Sequence, residues 1–386
     1  MDKKFLIKKI SDKNIDNEIL NIGFDKDYID VAKNKYHSAV YKIYSLTPVQ
    51  ATILKQTALT CGTDCAVHRE VLTHNIDSTD VILSATNAQL KKIIQKLYIQ
   101  PFGLKTLADN LKEVNSTLNS FTIRNKEFSW DKTYIMGILN CTPNSFSENG
   151  ENFNTQNALN SFATMISDGA DIIDIGAEST APMNTKITVE EELKRLEKVL
   201  VQCREKNSDI PISLDTRNAK TAEFGLMNGV DIINDVSGLC YDEKMAEIIS
   251  KYNSYVVLTF DDEIKDNTLD ETIKGLLSRV GKATNAGISK EKIILDVGLG
   301  FNKTYEQNFE LIKYADEICS LNFPVLYGLS RKSFVQKVTN KEAKETLPAN
   351  IALASYLANK GVNILRVHDV LEHKIAFQAL DKVIYD

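Results

Sequence analysis

Hydrophobic and polar positions along the chain fall into two regimes. From about residue 134 onward, short aliphatic runs recur at 134–139, 171–175, 212–214, 231–233, 255–258, 293–295, 325–327 and 364–367. Each is rich in β-branched and aliphatic residues and reads as a short strand. The stretches between them, such as 188–205 and 305–320, repeat apolar positions with a 3.6-residue period and predict helices. Eight strand-helix repeats in about 250 residues predict a parallel sheet closed into a (β/α)8 TIM barrel. An open doubly wound sheet is the competing architecture, and it is weakened because no Gly-x-Gly-x-x-Gly follows the first strand.

Upstream the pattern is less regular. Apolar periodicity predicts helices over 48–59 and 87–97, strands over 41–46 and 80–84, and a turn over 61–65. This is α+β character, giving a smaller N-terminal domain over residues 1–125 whose role the sequence does not supply, ahead of a barrel over 130–386. The polar stretch 115–126 marks the boundary. Cys61, Cys65 and His68 are close enough in sequence to suggest a metal site, but no second ligand pair follows at zinc-finger spacing. Small buried side chains, with His68, Arg69 and Glu70 as a structural cluster, are the better reading.

Composition changes this picture little. With 43% hydrophobic and 25% charged residues, the 386-residue chain is an ordinary globular protein. A net charge of −6 leaves no basic excess to neutralise phosphates, which argues against nucleic acid as a partner. No apolar run reaches membrane-spanning length, and the apolar part of the N-terminus is too short for a signal peptide. The expectation is a cytoplasmic protein with reduced thiols and no membrane partner.

In a barrel of this kind the loops after the strands build the active site. Here seven of the eight strand ends carry polar or charged residues: 140–147, 176–180, Asp215 to Arg217, Asn234 to Gly238, Asp296, 328–333, and Arg366 to Asp369. Lone carboxylates and amides are costly to bury without partners, so a ligand site explains them better than core packing. After Asp296 comes a Gly-x-Gly turn, then Phe301 and Lys303, where backbone or ligand can approach closely. Asp215, Asn234, Asp296 and Lys332 offer donors and acceptors suited to the edge of a flat, nitrogen-rich heterocycle. Arg366, His368 and Asn140 suit an anion such as phosphate or diphosphate. Together they suggest a heterocyclic substrate with a diphosphate leaving group.

Six segments in order then resemble the motifs of dihydropteroate synthase, a family of pterin-binding barrels: Leu139-Asn-Cys-Thr-Pro-Asn-Ser-Phe-Ser147, Asp174-Ile-Gly-Ala-Glu-Ser-Thr180, Ser213-Leu-Asp-Thr216, Ile233-Asn-Asp-Val-Ser-Gly238, Ser330-Arg-Lys-Ser333 and Arg366-Val-His368. The resemblance implies condensation of 6-hydroxymethyl-7,8-dihydropterin diphosphate with 4-aminobenzoate, giving dihydropteroate and pyrophosphate. It also implies a homodimer. By matching positions, Asp215, Asn234, Asp296 and Lys332 would hold the pterin. Asn140 would help bind Mg²⁺ and diphosphate, with Arg366 and His368 on the diphosphate oxygens; Asp215, Lys332, Arg366 and His368 form the implied catalytic set. Thr180, Pro182, Phe301 and Ser330 would line the aminobenzoate pocket.

The chain departs from the family's pattern in places. Ala181 stands where the family usually has an arginine, and Lys186 is the candidate substitute for that anion contact. Leu258-Thr-Phe-Asp-Asp-Glu263 replaces a Met-His-Met run and makes the fifth loop acidic. Val297, Leu299 and Asn302 alter the sixth motif, while Asn144 and Glu148 stand where aspartates are common. These changes keep two alternatives open: a pterin-binding paralogue with another acceptor, and a non-catalytic pterin-binding or scaffold protein.

Overall fold

The structure is a computed structural model that describes residues 5–73, 75–141, 151–177 and 187–384, with 151–154 as helical backbone only. It divides into two compact units, Met1–Ser116 and Thr117–Asp386.

In the first unit, β1 (Ser38–Leu46), β2 (Cys65–Ala66) and β3 (Thr79–Thr86) form an antiparallel sheet with β3 in the centre. β3 alternates buried and exposed residues, so one face carries its apolar side chains inward. Helices Pro48–Thr60, Asn87–Leu97 and Leu104–Val114 share a core with that face, through Leu54, Leu90, Ile93, Leu97 and Leu104. The first two of these helices start at reciprocal capping pairs, Thr47 with Gln50 and Thr86 with Gln89. Cys65 is buried in the core and Cys61 packs at its edge, whereas His68 is exposed and accepts the Glu70 N–H at 3.3 Å.

The second unit opens with a hairpin, β4 (Phe121–Ile123) and β5 (Lys126–Phe128). Eight parallel strands follow: β6 (Tyr134–Asn140), β7 (Ile172–Gly176), β8 (Ile212–Asp215), β9 (Ile232–Asp235), β10 (Tyr255–Thr259), β11 (Ile293–Asp296), β12 (Val325–Gly328) and β13 (Ile364–Val367). They close into a barrel in sequence order, with β13 pairing β6, and helices lie between successive strands. The closed barrel removes the open-sheet alternative. One expected helix differs. The stretch 305–320 is two helices, Tyr305–Lys313 and Ala315–Cys319, because Tyr314 leaves helical geometry at φ −105° and ψ 29°.

A period of two along the strands explains where the site lies. Met136, Ile172, Ile232, Val257, Ile294, Leu326 and Ile364 form one apolar cluster with the hairpin residues Ile123 and Phe128. Two residues further on, the same faces of β7, β9, β10, β11 and β13 carry Asp174, Asn234, Thr259, Asp296 and Arg366. The barrel interior thus changes from an apolar layer to a polar one over one strand repeat. The hairpin closes the apolar end with aromatic contacts: Phe121 to Trp130 at 4.5 Å, Phe121 to Tyr255 at 4.7 Å and Phe128 to Tyr134 at 4.7 Å between ring centroids. Its turn is pinned by Arg124, which pairs with Asp231 at 2.8 Å.

Candidate active site

Asp215 ends β8, and the strand register sets it between Gly176 and Asn234, with Asn140 opposite Gly176 on the other side. Four strands therefore align in one row, three of them with polar residues, Asn140, Asp215 and Asn234, and the fourth with Gly176. Arg366 crosses that row. Its Nε donates to Asp174 Oδ2 at 2.6 Å and its Nη2 to Asp215 Oδ2 at 2.8 Å, while Asn234 Nδ2 donates to Asp174 Oδ2 at 3.0 Å. Asp174 is wholly buried and holds both neighbours in place.

These bonds leave one side of each group unused. Among the described residues, Asp174 Oδ1, Ser213 Oγ, Asp215 Oδ1 and Asn234 Oδ1 are buried without a hydrogen-bond partner. Four such atoms together are unusual, because a buried polar atom normally finds a partner. The Asn234 amide must turn its NH₂ to the Asp174 carboxylate, so the oxygen it presents is an acceptor. The set asks for a ligand edge rich in N–H donors.

Asp296, at the end of β11, accepts the Gly298 N–H at 2.9 Å on one oxygen, and Thr259 Oγ1 lies 3.5 Å from the other. Burial pushes its carboxyl up, against the Gly298 N–H and the positive charge of Lys332. Burial likewise pushes Asp215 up to about 7, opposed chiefly by Arg366. Lys332 is pushed down to about 8, first by burial and then by Arg366, with Asp296 and Asp215 pulling the other way. Its ammonium sits 4.5 Å over the Phe301 ring.

His368 is held by Ser330. The Ser330 Oγ accepts the His368 main-chain N–H at 3.3 Å and lies 2.9 Å from the ring Nδ1. Burial, then Arg331, Arg366 and Lys332, push the imidazole down to about 3, so the ring is neutral at physiological pH. In the tautomer in which the Ser330 hydroxyl donates to Nδ1, the ring proton is on Nε2 and can be offered to an anion.

The loops are anchored by residues behind the row. Glu192, nearly fully buried at the start of helix Val189–Lys206, accepts from Thr216 Oγ1, Asn218 Nδ2 and Thr221 Oγ1, each at 2.7 Å. Asp235 takes the Ser237 and Leu239 main-chain N–H groups and so shapes the fourth loop. In the fifth loop, Asp261 and Asp262 both pair with Arg279 at 3.0 Å. The acidity expected of that rim is therefore met in part by an internal cation.

The structure brings Asp215, Asn234, Asp296, Lys332, Arg366, His368, Ser330 and Phe301 to the strand-end side of the barrel, with Asn140 at the end of β6. Thr180, Pro182, Ala181, Lys186, Asn144 and Glu148 lie outside the described residues. Asp174 and Glu192 are the functional neighbours that the sequence reading did not single out. The signal for Asp174 was a carboxylate inside an aliphatic run; the only signal for Glu192 was the first turn of an acidic helix.

Comparison with known proteins decides the family. The model of the family described as "Pterin binding enzyme" matches residues 136–368. A dihydropteroate synthase of Clostridium beijerinckii is 38% identical over 266 residues, 68% of this chain and 98% of that protein. The chain belongs to the dihydropteroate synthase family. Among solved structures, a dihydropteroate synthase from Clostridium difficile, determined in the presence of pteroic acid, is 40% identical with a TM-score of 0.64, covering 66% of this chain and 98% of that one. The Xanthomonas albilineans dihydropteroate synthase with 4-aminobenzoic acid is 31% identical with a TM-score of 0.65, covering 68% and 97%. A probable bifunctional folylpolyglutamate synthase/dihydropteroate synthase of Halobacterium salinarum is 35% identical over 341 residues, 86% of this chain and 41% of that one. That span exceeds the barrel unit, so this similarity reaches into the N-terminal unit.

Proposed function

We propose that this chain is a transferase that joins 6-hydroxymethyl-7,8-dihydropterin diphosphate to 4-aminobenzoate, releasing pyrophosphate and forming dihydropteroate. The observation that carries the reading is the set of three carboxylate and amide oxygens and one serine hydroxyl, buried and unpartnered among the described residues and bordered by Lys332 and Arg366, at the strand-end mouth of a dihydropteroate synthase barrel. A pterin offers the complementary edge, since its amino group and ring N–H are adjacent donors.

In this reading Asp215 Oδ1 and Asn234 Oδ1 take those donors, and Asp296 and Lys332 bind the opposite side of the ring. Arg366 and His368 face the diphosphate: Arg366 as a cation already oriented by two carboxylates, His368 as a neutral donor through Nε2. Mg²⁺ is usually held by one or two protein ligands together with phosphate oxygens and water, and Asn140, a half-buried neutral amide at the end of β6, fits that modest demand. Bound there, the ion would supply charge neutralisation to the departing diphosphate. The C–O bond then breaks ahead of attack by the weakly basic aminobenzoate nitrogen, and Asp215 stabilises the positive charge that spreads over the pterin ring. Phe301 and Ser330, with Thr180 and Pro182, line the place of the aminobenzoate ring. Exposed apolar residues on barrel helices, Tyr356, Leu371 and Ile375, support a homodimer, which sedimentation at micromolar concentration tests.

The test is turnover: purified protein, Mg²⁺ and both substrates, with dihydropteroate followed by mass. Product is expected, lost on adding EDTA and reduced at least a hundredfold in Lys332→Ala, the scale of removing one positioned charge from a desolvated site. Pterin binding without product would instead favour a paralogue with another acceptor.

A further inference from the structure

The fifth and sixth loops are joined to each other. Phe260, the first residue after β10, lies between two cations. The Arg279 guanidinium and the Lys303 ammonium each sit 5.0 Å from its ring centroid. Arg279, on helix Thr268–Asn285, is 4% exposed and pairs with Asp261 and Asp262, both at 3.0 Å. Lys303 Nζ donates to the main-chain oxygens of Phe260 at 2.7 Å and Phe301 at 3.2 Å.

The second link comes from Asn302. Its backbone is left-handed at φ 43°, a conformation that glycine adopts freely and asparagine tolerates. Its side chain donates to the Asp261 carbonyl at 2.8 Å, a bond that glycine does not make. Close packing holds the loops together: a Cβ on Gly298 would lie 2.2 Å from the Phe260 carbonyl oxygen, and one on Gly275 would lie 2.2 Å from the Phe260 ring. Beyond Phe301, the Lys332 side chain lies against Gly300, 3.1 Å from where a Cβ would be.

We propose that Arg279, Asn302 and Lys303 are positioning residues that lock the fifth and sixth loops into one wall, and that this wall sets Phe301 for the aminobenzoate. The substitutions in the two loops then form one unit. Phe260 gives the cations a ring to pack on, Asp261 and Asp262 neutralise Arg279, and Asn302 ties the Asp261 carbonyl to the turn that carries Phe301. Because Arg279 and the neighbouring Lys303 together match the charge of the two aspartates, the wall does not repel the aminobenzoate carboxylate. The inference rests on the synthase reading and adds to it the residues that determine how the second substrate is held.

The test is a comparison of steady-state constants for both substrates in the full chain. Asn302→Gly keeps the backbone conformation and removes only the link. It is expected to raise KM for 4-aminobenzoate at least about fivefold while KM for the pterin diphosphate stays within about twofold. Arg279→Gln is expected to raise the aminobenzoate KM further, and adding Asp261→Asn and Asp262→Asn to that variant to recover most of the loss, since the uncompensated charge is then gone. Unchanged aminobenzoate KM in Asn302→Gly, parallel changes in both KM values, or no recovery in the triple variant would overturn the proposal. Absence of turnover in the unmodified protein would remove the synthase reading and this inference with it. Turnover with unselective variants would remove the inference alone.

Discussion

Asp215 and Lys332 lie close enough to influence each other, with proton affinities displaced toward each other, Asp215 up to about 7 and Lys332 down to about 8. Both shifts come first from burial, which disfavours whichever form is charged. A pterin bound through its N–H donors needs the Asp215 carboxylate, and the anionic substrate needs the Lys332 ammonium. The kcat/KM for the pterin diphosphate is therefore expected to rise with pH toward 7 and fall again above 8. In Asp215→Asn the limb near 7 should vanish along with most of the activity, whereas a limb unchanged in that variant would assign it elsewhere. Asp174 carries a separate expectation. Removing its charge leaves Arg366 with one buried carboxylate partner, Asp215, in place of two, so Asp174→Asn is expected to lower stability by about 1–3 kcal/mol, read by urea denaturation. The sequence made Asp215, Asn234 and Asp296 legible, because each is the first polar residue after an aliphatic run. Asp174 was hidden because Ile175 follows it, and only the inward-facing alternation of a closed barrel reveals its role. His368 was legible as an anion contact, but its neutral state depends on burial beside three cations.

At the scale of elements, the strands were readable to within one or two residues, since eight aliphatic runs have few other ways to be buried. The hairpin β4–β5 was not. Its first strand lies in a stretch dominated by Asn, Ser and Thr, and the aromatics that make it a plug contact residues far along the chain, such as Tyr255. Phe128 is wholly buried in the apolar layer, so Phe128→Ala is expected to cost about 3–5 kcal/mol of stability. Because that layer lies one strand repeat below the polar row, both KM values should stay within about twofold at a temperature where the variant is folded. Calorimetry and kinetics together check this, and a large KM change would show that the plug shapes the mouth as well. Glu192 works the other way, from behind the third loop. It orders Thr216, Asn218 and Thr221 beside Asp215, a contact set that no spacing in the sequence announces.

The molecule as a whole combines a barrel of the length found in its relatives with an additional folded unit. The Clostridium difficile structure is covered over 98% of its length by 66% of this chain, so a chain of barrel size is complete as a fold. Residues 117–386 alone are accordingly expected to keep kcat within about tenfold of the full chain, measured with both substrates. A greater loss would give the N-terminal unit a part in the reaction. The α+β character of that unit was legible from two amphipathic helices and two strands; its role was not, because among its described residues no group of His, Cys, Asp and Glu is placed to hold a metal ion. A pterin site at the polar row above the barrel's apolar layer can be seen in a crystal structure of this chain soaked with 6-hydroxymethylpterin monophosphate. The pterin's amino group and ring N–H are expected within hydrogen-bonding distance of Asp215 Oδ1 and Asn234 Oδ1, with Lys332 and Asp296 on the ring's other side. A pterin bound elsewhere, or a row that stays free of ligand at saturating concentration, would contradict that site.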